Sequence, residues 1–154
     1  MMLAHRGPVD LLNGQKIDIG KSLAWNNEKE FHHVFPRAYM KSRDRSDFNS
    51  LANIVMLTSK SNIEISAKPP SVYLSEIRRD VGDQGFFNRL STCLIPPGAA
   101  DAALRDDYDE FLRLRSELLQ QVAMELIGPL EGTIEEVSPE LVEDEEPTAN
   151  EEVD

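Results

Sequence analysis

The residues best suited to chemistry lie in one short stretch, which begins with two adjacent histidines. His32 and His33 stand in the run Phe31-His32-His33-Val34-Phe35-Pro36. Asn53 follows His33 by 20 residues and Asn62 follows Asn53 by 9, each beside an apolar run. Histidine, with a reference pKa of about 6.5, is a natural general base, and a side-chain amide oxygen suits a hard cation. The stretch therefore predicts a compact site that holds a metal ion and activates water for phosphodiester hydrolysis.

The two histidines can serve one site only if the backbone changes direction beside them. Adjacent residues of an ideal strand point to opposite faces, so the strand must end close to His33. Pro36 lacks a backbone donor and helps to end the strand pairing there. Taken alone, a histidine pair is more often incidental than a site, and single asparagines are more often turn or capping residues. The interpretation rests on their combination.

The pattern around these residues predicts a strand, a loop, a second strand and a helix, in that order. The predicted elements are a strand over 30–35, a polar loop over 37–49, a strand over 54–58 and a helix over 59–67. β-Branched and aromatic residues favour the strands. Ser59 or Ser61 is the expected cap of the helix, because a serine hydroxyl can accept a hydrogen bond from a free backbone N–H of the first turn.

Further helices are expected to pack across this small unit. After Pro69-Pro70, Ser71 can cap a helix that ends before Gly82, whereas residues 86–95 are ambiguous between helix and strand. Apolar residues at helical spacing then predict one long helix from Asp101 to Ile127. Residues 1–27 are polar and rich in turn signals, with short elements expected only at 9–12 and 17–19.

Length and composition predict one cytoplasmic domain. The chain has 154 residues, of which 40% are hydrophobic, enough for one modest core. No run approaches the roughly 20 apolar residues needed to span a membrane, and Asp10 and Lys16 stand where a signal peptide would be apolar. Cys93 is the only cysteine, which excludes an intrachain disulfide and a cysteine-rich zinc site.

The net charge of −12 belongs mostly to the C-terminal end. Residues 131–154 hold 11 acidic residues and no basic ones, which leaves 17 acidic against 16 basic residues in positions 1–130. This divides the chain into a folded domain over 1–130 and an acidic tail over 131–154 that is predicted to be disordered. The tail is either a solvated appendage or a mimic of polyanionic DNA that dampens activity.

Between residues 31 and 68 the charge balance reverses. Asp44, Asp47 and Glu64 are the only acids there, against six basic residues that we call the basic strip: Arg37, Lys41, Arg43, Arg45, Lys60 and Lys68. A local excess of positive charge on the candidate site is what a phosphate backbone requires.

These motifs together resemble the HNH, or ββα-metal, endonucleases. The resemblance rests on the following segments in this order: His32-His33-Val34-Phe35-Pro36-Arg37, Asn53-Ile54-Val55-Met56-Leu57, Asn62, Ile65, Lys68-Pro69 and Tyr73-Leu74. The closer likeness is to the C-terminal nuclease domain of modification-dependent restriction enzymes of the GmrSD type, and it extends from about Val9 through the long helix. It implies an α+β fold with a ββα-metal core and additional packing helices, including the long C-terminal one.

The resemblance also implies a role for each site residue. His33 would be the general base, and Asn53 would complete the catalytic motif by holding the loop and the base in position. His32, where many family members have aspartate, and Asn62 would bind one divalent ion. Magnesium is the expected ion. Because both side-chain ligands are neutral, its affinity in the absence of DNA should be poor, and manganese is therefore the alternative. Three members of the basic strip are the expected phosphate contacts: Arg37, Lys60 and Lys68.

The implied function is a metal-dependent DNA endonuclease module of a bacterial restriction or phage-defence system, leaving a 5′-phosphate and a 3′-hydroxyl. In the resembled enzymes a nucleotide-dependent sensing domain precedes the nuclease, so either such a domain is missing here or a separate subunit does the sensing. The alternative is a non-catalytic DNA-binding or adaptor subunit. A third hypothesis is an interaction protein, because Glu151-Glu152-Val153-Asp154 resemble the terminal peptide of cytosolic chaperones.

Overall fold

The computed structural model describes residues 2–18, 20 and 31–128, and within them it combines helices with one two-stranded antiparallel sheet. The α+β class is therefore confirmed. The regular elements are β1 (Phe31–His33), α1 (Arg37–Lys41), β2 (Ile54–Met56), α2 (Ser59–Ile65), α3 (Pro70–Thr92), α4 (Pro97–Leu104) and α5 (Tyr108–Ile127). A 3₁₀ turn, Leu51–Asn53, leads into β2, and another spans Met2–Ala4. The predicted acidic tail lies outside the described residues.

The two predicted strands are confirmed, but each is shorter than expected. β1 pairs with β2 so that His33 lies opposite Ile54 and His32 lies opposite Val55. β1 ends at His33 because the following residues, Val34 and Phe35, turn into the core, where their exposed fractions are 1% and 0%. The strand pairing thus stops directly beside the second histidine.

The predicted polar loop over residues 37–49 is wrong in its first part, where the structure forms α1. The helix follows Pro36, whose carbonyl accepts a hydrogen bond from Met40 N–H at 2.9 Å. Ala38 and Met40 are good helix formers, and Met40 is buried, so packing of this one side chain holds the single turn. The polar character of the segment hid this short amphipathic turn.

The helix after β2 is confirmed, although its cap is neither Ser59 nor Ser61. Thr58 precedes α2, and its hydroxyl accepts a hydrogen bond from Ser61 N–H at 3.3 Å. The Ser61 hydroxyl instead donates to a buried carboxylate of the N-terminal segment, Asp10, at 2.8 Å. The cap therefore lies one residue before Ser59 and three before Ser61.

The start of α3 is capped by a side chain that is distant in sequence. Pro69 stands at the cap position and offers no side-chain hydrogen bond. The Asp106 carboxylate accepts from Ser71 N–H at 2.9 Å and from the Ser71 hydroxyl at 2.6 Å. The prediction that Ser71 is itself the cap is wrong, because the helix begins at Pro70 and the cap position is Pro69, two residues before Ser71.

A kink divides α3 at Gly82, where the backbone has φ 70° and ψ 169°. The predicted helix end before Gly82 is therefore a change of direction, after which the helix continues to Thr92. A positive φ is tolerated by glycine at little cost, which explains why the interruption falls there. Residues 86–95, ambiguous in sequence, are helical as far as Thr92.

The predicted long helix from Asp101 to Ile127 is wrong, because the structure breaks it into α4 and α5. Asp106 takes φ 57°, and the Asp107 side chain caps α5 by accepting from Glu110 N–H at 3.1 Å. Short acidic side chains favour such turns and caps. Leu104 and Tyr108 are four residues apart, so the apolar spacing continues across the break and conceals it.

The core lies between the hairpin and the helices. α5 packs against α4 and against the turn Leu51–Asn53, and α4 also packs against α3. α5 buries Tyr108, Phe111, Arg115, Leu119 and Val122. Among the described residues, no helix combines the length and the apolar character needed to cross a bilayer.

Candidate functional site

His33 lies at the end of β1 and is half-buried, with two contacts from the loop that joins the strands. Its Nε2 lies 3.1 Å from the side-chain oxygen of Asn49. Its ring meets the buried Phe48 ring edge-on, with centroids 5.9 Å apart and an interplanar angle of 78°. Neighbouring residues of one loop segment thus fix both the ring plane and one ring nitrogen.

The residue after His33 is held on both sides of its backbone. Val34 N–H donates to the Asn53 carbonyl at 2.8 Å, and the Val34 carbonyl accepts from the Tyr73 hydroxyl at 2.7 Å. Complete burial raises the pKa of Tyr73 well above its usual range, so this hydroxyl keeps its proton and remains a donor. The point at which β1 ends is therefore fixed by the turn that leads into β2 and by α3.

The side chain of Asn53 closes the loop between the strands. It is fully buried, and its Oδ1 accepts from Phe35 N–H at 2.8 Å. Its Nδ2 donates to the Phe35 carbonyl at 3.2 Å and to the Phe48 carbonyl at 2.9 Å. Both polar atoms of the amide are directed at backbone, so Asn53 shapes the loop and leaves no donor atom directed to solvent.

A buried arginine supports the residue that precedes Asn53. The Arg115 guanidinium donates to the carbonyls of Ala52 at 2.9 Å, Cys93 at 2.9 Å and Leu94 at 3.2 Å. Burial lowers the pKa of Arg115 to about 10, so it is still charged at neutral pH. Three carbonyl dipoles stabilise this charge, and through Ala52 they tie the start of β2 to α5.

A buried carboxylate anchors α2, the helix that carries Asn62 and Lys60. Asp10 Oδ2 accepts from Thr58 N–H at 2.8 Å, and Oδ1 accepts from the Ser61 hydroxyl at 2.8 Å. Oδ1 also accepts from Leu12 N–H at 2.9 Å within its own turn. Asp10 is fully buried, so these hydrogen bonds replace its hydration. They fix α2 to the N-terminal segment.

The two predicted metal ligands lie on different elements. His32 is half-buried in the middle of β1, whereas Asn62 is exposed on α2. Within the described residues, no hydrogen bond joins Asn62 to either histidine, and no group of three or more His, Cys, Asp or Glu side chains is arranged to hold a metal. The predicted pair, one imidazole and one amide oxygen, is smaller than such a group and includes an asparagine.

The predicted phosphate contacts differ in their surroundings. The Arg37 guanidinium lies over the Phe48 ring, 5.4 Å from its centroid, and the His33 ring contacts the same Phe48 ring edge-on. Lys60 is exposed on α2. Lys68 forms a 3.1 Å ion pair with Glu76. Arg37 is therefore the predicted contact that the structure connects to His33.

A polar cavity of about 480 Å³ is lined by Phe35, Arg45, Asp106 and Tyr108, among others. Arg45 forms ion pairs with Asp47 and Asp109 at 2.6 and 2.7 Å. The Asp106 carboxylate accepts a hydrogen bond from the Ser71 hydroxyl at the start of α3. Arg45 and Asp106 therefore both have structural partners, which indicates a structural role for these groups.

Several residues that shape the site were not singled out from the sequence. Asp10, Phe48, Asn49 and Arg115 hold α2, His33 and the start of β2 in place. Arg115 carries a detectable signal, because it stands four residues after Phe111 and four before Leu119 on an apolar face. Asn49 carries none, since an exposed asparagine in a loop is ordinary.

Comparison with protein-family models, curated proteins and solved structures finds no match for this chain. The functional interpretation therefore rests on the residues and their geometry.

Proposed function

We propose that this chain is an HNH-type, metal-dependent endodeoxyribonuclease. The observation that carries the proposal is the arrangement around Asn53: two antiparallel strands are followed by α2, and the Asn53 amide closes the connecting loop at Phe35 and Phe48. The same loop orients His33 at the end of β1. This arrangement supports a ββα core in which the base is fixed by the strand end and the loop.

In this function His33 takes a proton from the attacking water, while Arg37 and Lys60 contact DNA phosphates. Such contacts position the duplex without reading its sequence. Lys68 would join them after leaving Glu76. Arg37 and His33 contact the same Phe48 ring, so a phosphate bound by Arg37 would lie near the base.

His32 and Asn62 would hold the divalent ion, with magnesium preferred and manganese as the alternative. An exposed amide oxygen and an imidazole are chemically suitable donors, but both are neutral. The DNA phosphate must therefore complete the site, which makes metal and DNA binding mutually dependent. When bound, the ion stabilises negative charge on the phosphate and on the leaving 3′ oxygen.

The setting that the sequence resemblance implies is a bacterial restriction or phage-defence system. In that setting a sensing domain or subunit decides when the DNA is cut, and this chain supplies the cutting chemistry.

A plasmid-nicking assay tests the proposal. The full chain is incubated with supercoiled DNA in magnesium, in manganese and in EDTA, beside His33→Ala and the matched control His5→Ala, since His5 is exposed in the N-terminal segment. We expect nicking with either ion, none in EDTA, loss of at least about 100-fold in His33→Ala and no change in His5→Ala. Equal nicking by wild type and His33→Ala would reject the assignment.

The same samples separate the nuclease from the adaptor alternative. A non-catalytic subunit would bind DNA with affinity that falls with salt, would cleave it under none of the metal conditions, and would bind equally well after His33→Ala. Binding without cleavage therefore favours the adaptor.

A further inference from the structure

Asn49 is the only described side chain that hydrogen-bonds His33, and it stands next to Phe48, which the closed loop holds in place. The Asn49 oxygen lies 3.1 Å from His33 Nε2, and the Phe48 carbonyl is bound by Asn53 at 2.9 Å. Asn49 is exposed, so this hydrogen bond is not needed to satisfy a buried amide. The effect of this hydrogen bond is to orient the His33 ring.

A carboxamide oxygen only accepts hydrogen bonds. The ring nitrogen that faces Asn49 Oδ1 must therefore carry hydrogen, which places the neutral ring of His33 in the Nε2–H tautomer. Nδ1 is then the nitrogen with the lone pair, and no hydrogen bond from residues 2–18, 20 or 31–128 occupies it. The contact thus determines which atom of the ring is basic.

We infer that Asn49 is the positioning residue that holds His33 in the Nε2–H tautomer and leaves Nδ1 to act as the base. The inference rests on the proposed nuclease function. In the reaction, the Nδ1 lone pair forms an N–H bond with a proton of water, and the resulting hydroxide oxygen forms a bond to phosphorus. The P–O3′ bond breaks, and the leaving oxygen takes a proton from solvent water. The hydroxide left in solvent is neutralised when Nδ1 of His33 releases its proton, which restores the neutral base.

The same contact assists after the proton has moved. His33 then carries hydrogen on both nitrogens and is positively charged, and its Nε2–H bond to the Asn49 oxygen becomes charge-assisted and stronger. Asn49 therefore orients the neutral ring and stabilises its protonated form, without itself touching the DNA or the water.

The tautomer can be observed without any catalysis. Long-range ¹H–¹⁵N NMR of the ¹⁵N-labelled, metal-free full chain, under alkaline conditions in which imidazole is neutral, reports which ring nitrogen carries hydrogen. We expect Nε2–H for His33 in wild type, a shift towards Nδ1–H or a mixture in Asn49→Ala, and retention of Nε2–H in Asn49→Asp, which keeps only acceptors. Asn88→Ala, at an exposed asparagine of α3, should leave the spectrum unchanged.

Two NMR outcomes would overturn the inference. The first is a wild-type ring with hydrogen on Nδ1. The second is loss of the Nε2–H form in Asn49→Asp, which would mean that the Asn49 amide donates to the ring.

Activity then tests the catalytic consequence. Removing a group that orients a ligand or base typically costs about 10- to 100-fold, so Asn49→Ala should lower kcat by that factor with an unchanged KM for DNA. Asn49→Asp should recover most of the loss, and Asn88→Ala should match wild type. Wild-type nicking that is unaffected by Asn49→Ala overturns this inference but keeps the nuclease. A wild type that does not nick, with the expected tautomers, overturns the nuclease and the catalytic role while the positioning contact stands.

Discussion

Asn53 binds both backbone polar groups of Phe35 with a single amide: Oδ1 accepts from the N–H at 2.8 Å, and Nδ2 donates to the carbonyl at 3.2 Å. The second hydrogen of Nδ2 binds the Phe48 carbonyl at 2.9 Å. The backbone groups of Phe35 and Phe48 therefore require one acceptor and two donors in a fixed arrangement, which the Asn53 amide supplies. No other short side chain supplies that set.

Asn53→Asp should destabilise the protein strongly even though the two side chains have the same shape. The carboxylate keeps the bond to Phe35 N–H, but its second oxygen faces two buried carbonyls. Loss of two donors and burial of unpaired charge should lower the free energy of unfolding by about 2–4 kcal/mol. Urea denaturation measures it, with Asn88→Asp as the exposed control. Equal effects of the two substitutions would contradict the loop-closing role.

Asp10→Asn should loosen the start of α2. Asp10 accepts from Thr58 N–H and Leu12 N–H, and an amide replaces one acceptor oxygen by a donor. A hydrogen bond to a charged group contributes roughly 1.5–3 kcal/mol, so amide hydrogen exchange at Thr58 should accelerate by about 10-fold or more where it occurs by local opening. Asp101→Asn, on the surface of α4, is the matched control. Unchanged protection at Thr58 would show that α2 does not depend on Asp10.

Arg115→Met should cost more stability than its apolar surroundings suggest. The substitution leaves three buried carbonyls, those of Ala52, Cys93 and Leu94, without a donor. We expect the free energy of unfolding to fall by about 3 kcal/mol or more. Arg113→Met, two residues earlier on the exposed face, should change the urea midpoint little. A neutral or stabilising Arg115→Met would mean that the carbonyls find other donors.

Arg37→Gln should weaken DNA binding more than Lys68→Gln. Arg37 lies on the Phe48 ring beside His33, whereas the charge of Lys68 is already offset by Glu76. If Arg37 contacts one phosphate, its removal should reduce the slope of log K against log salt by about 1. Fluorescence anisotropy across a salt series gives both slopes, with Arg79→Gln on α3 as the control. A larger effect at Lys68 would reverse the proposed order of contacts.

Arg45→Gln should alter how stability depends on pH. Arg45 hydrogen-bonds Asp47 and Asp109 and lowers the pKa of both carboxyls. Because each folded-state pKa lies below its unfolded value, the contribution is complete above the unfolded pKa of about 3.9 and is lost as the pH falls through the folded values. The Tm difference between wild type and Arg45→Gln should thus be largest near neutrality and shrink in acid. Arg105→Gln serves as control, and a difference that grows in acid would contradict this reasoning.

The sequence predicted the hairpin and α2 well because their signals are local. β-Branched residues, a turn-rich connection and a hydroxyl near the helix start act within a few residues of each other. The break between α4 and α5 could not be predicted from spacing, because Leu104 and Tyr108 keep the helical period across it. The cap of α3 comes from Asp106, 35 residues after Ser71, and such a partner is invisible without the fold.

The same difference between local signals and distant partners applies to the candidate site. His33 and Asn53 stand out because their types are informative, and their neighbours in sequence mark the strand ends. Asn49, Asp10 and Arg115 act through partners 16 to 63 residues away, and only the folded chain shows what they contact.

Arg115 also bears on the order in which the molecule can assemble. Arg115 joins α5 to Ala52 across 63 residues. The hydrogen bond to the Ala52 carbonyl can therefore form only after α5 has packed against the turn before β2. During synthesis the hairpin emerges well before α5, and a chain of that intermediate length lacks the contact. We expect a ribosome-bound chain ending before Arg115 to hold its two strands loosely and to become competent only after α5 has been made. Such a chain would have a delay between the synthesis of its histidines and the ordering of the strands that position them.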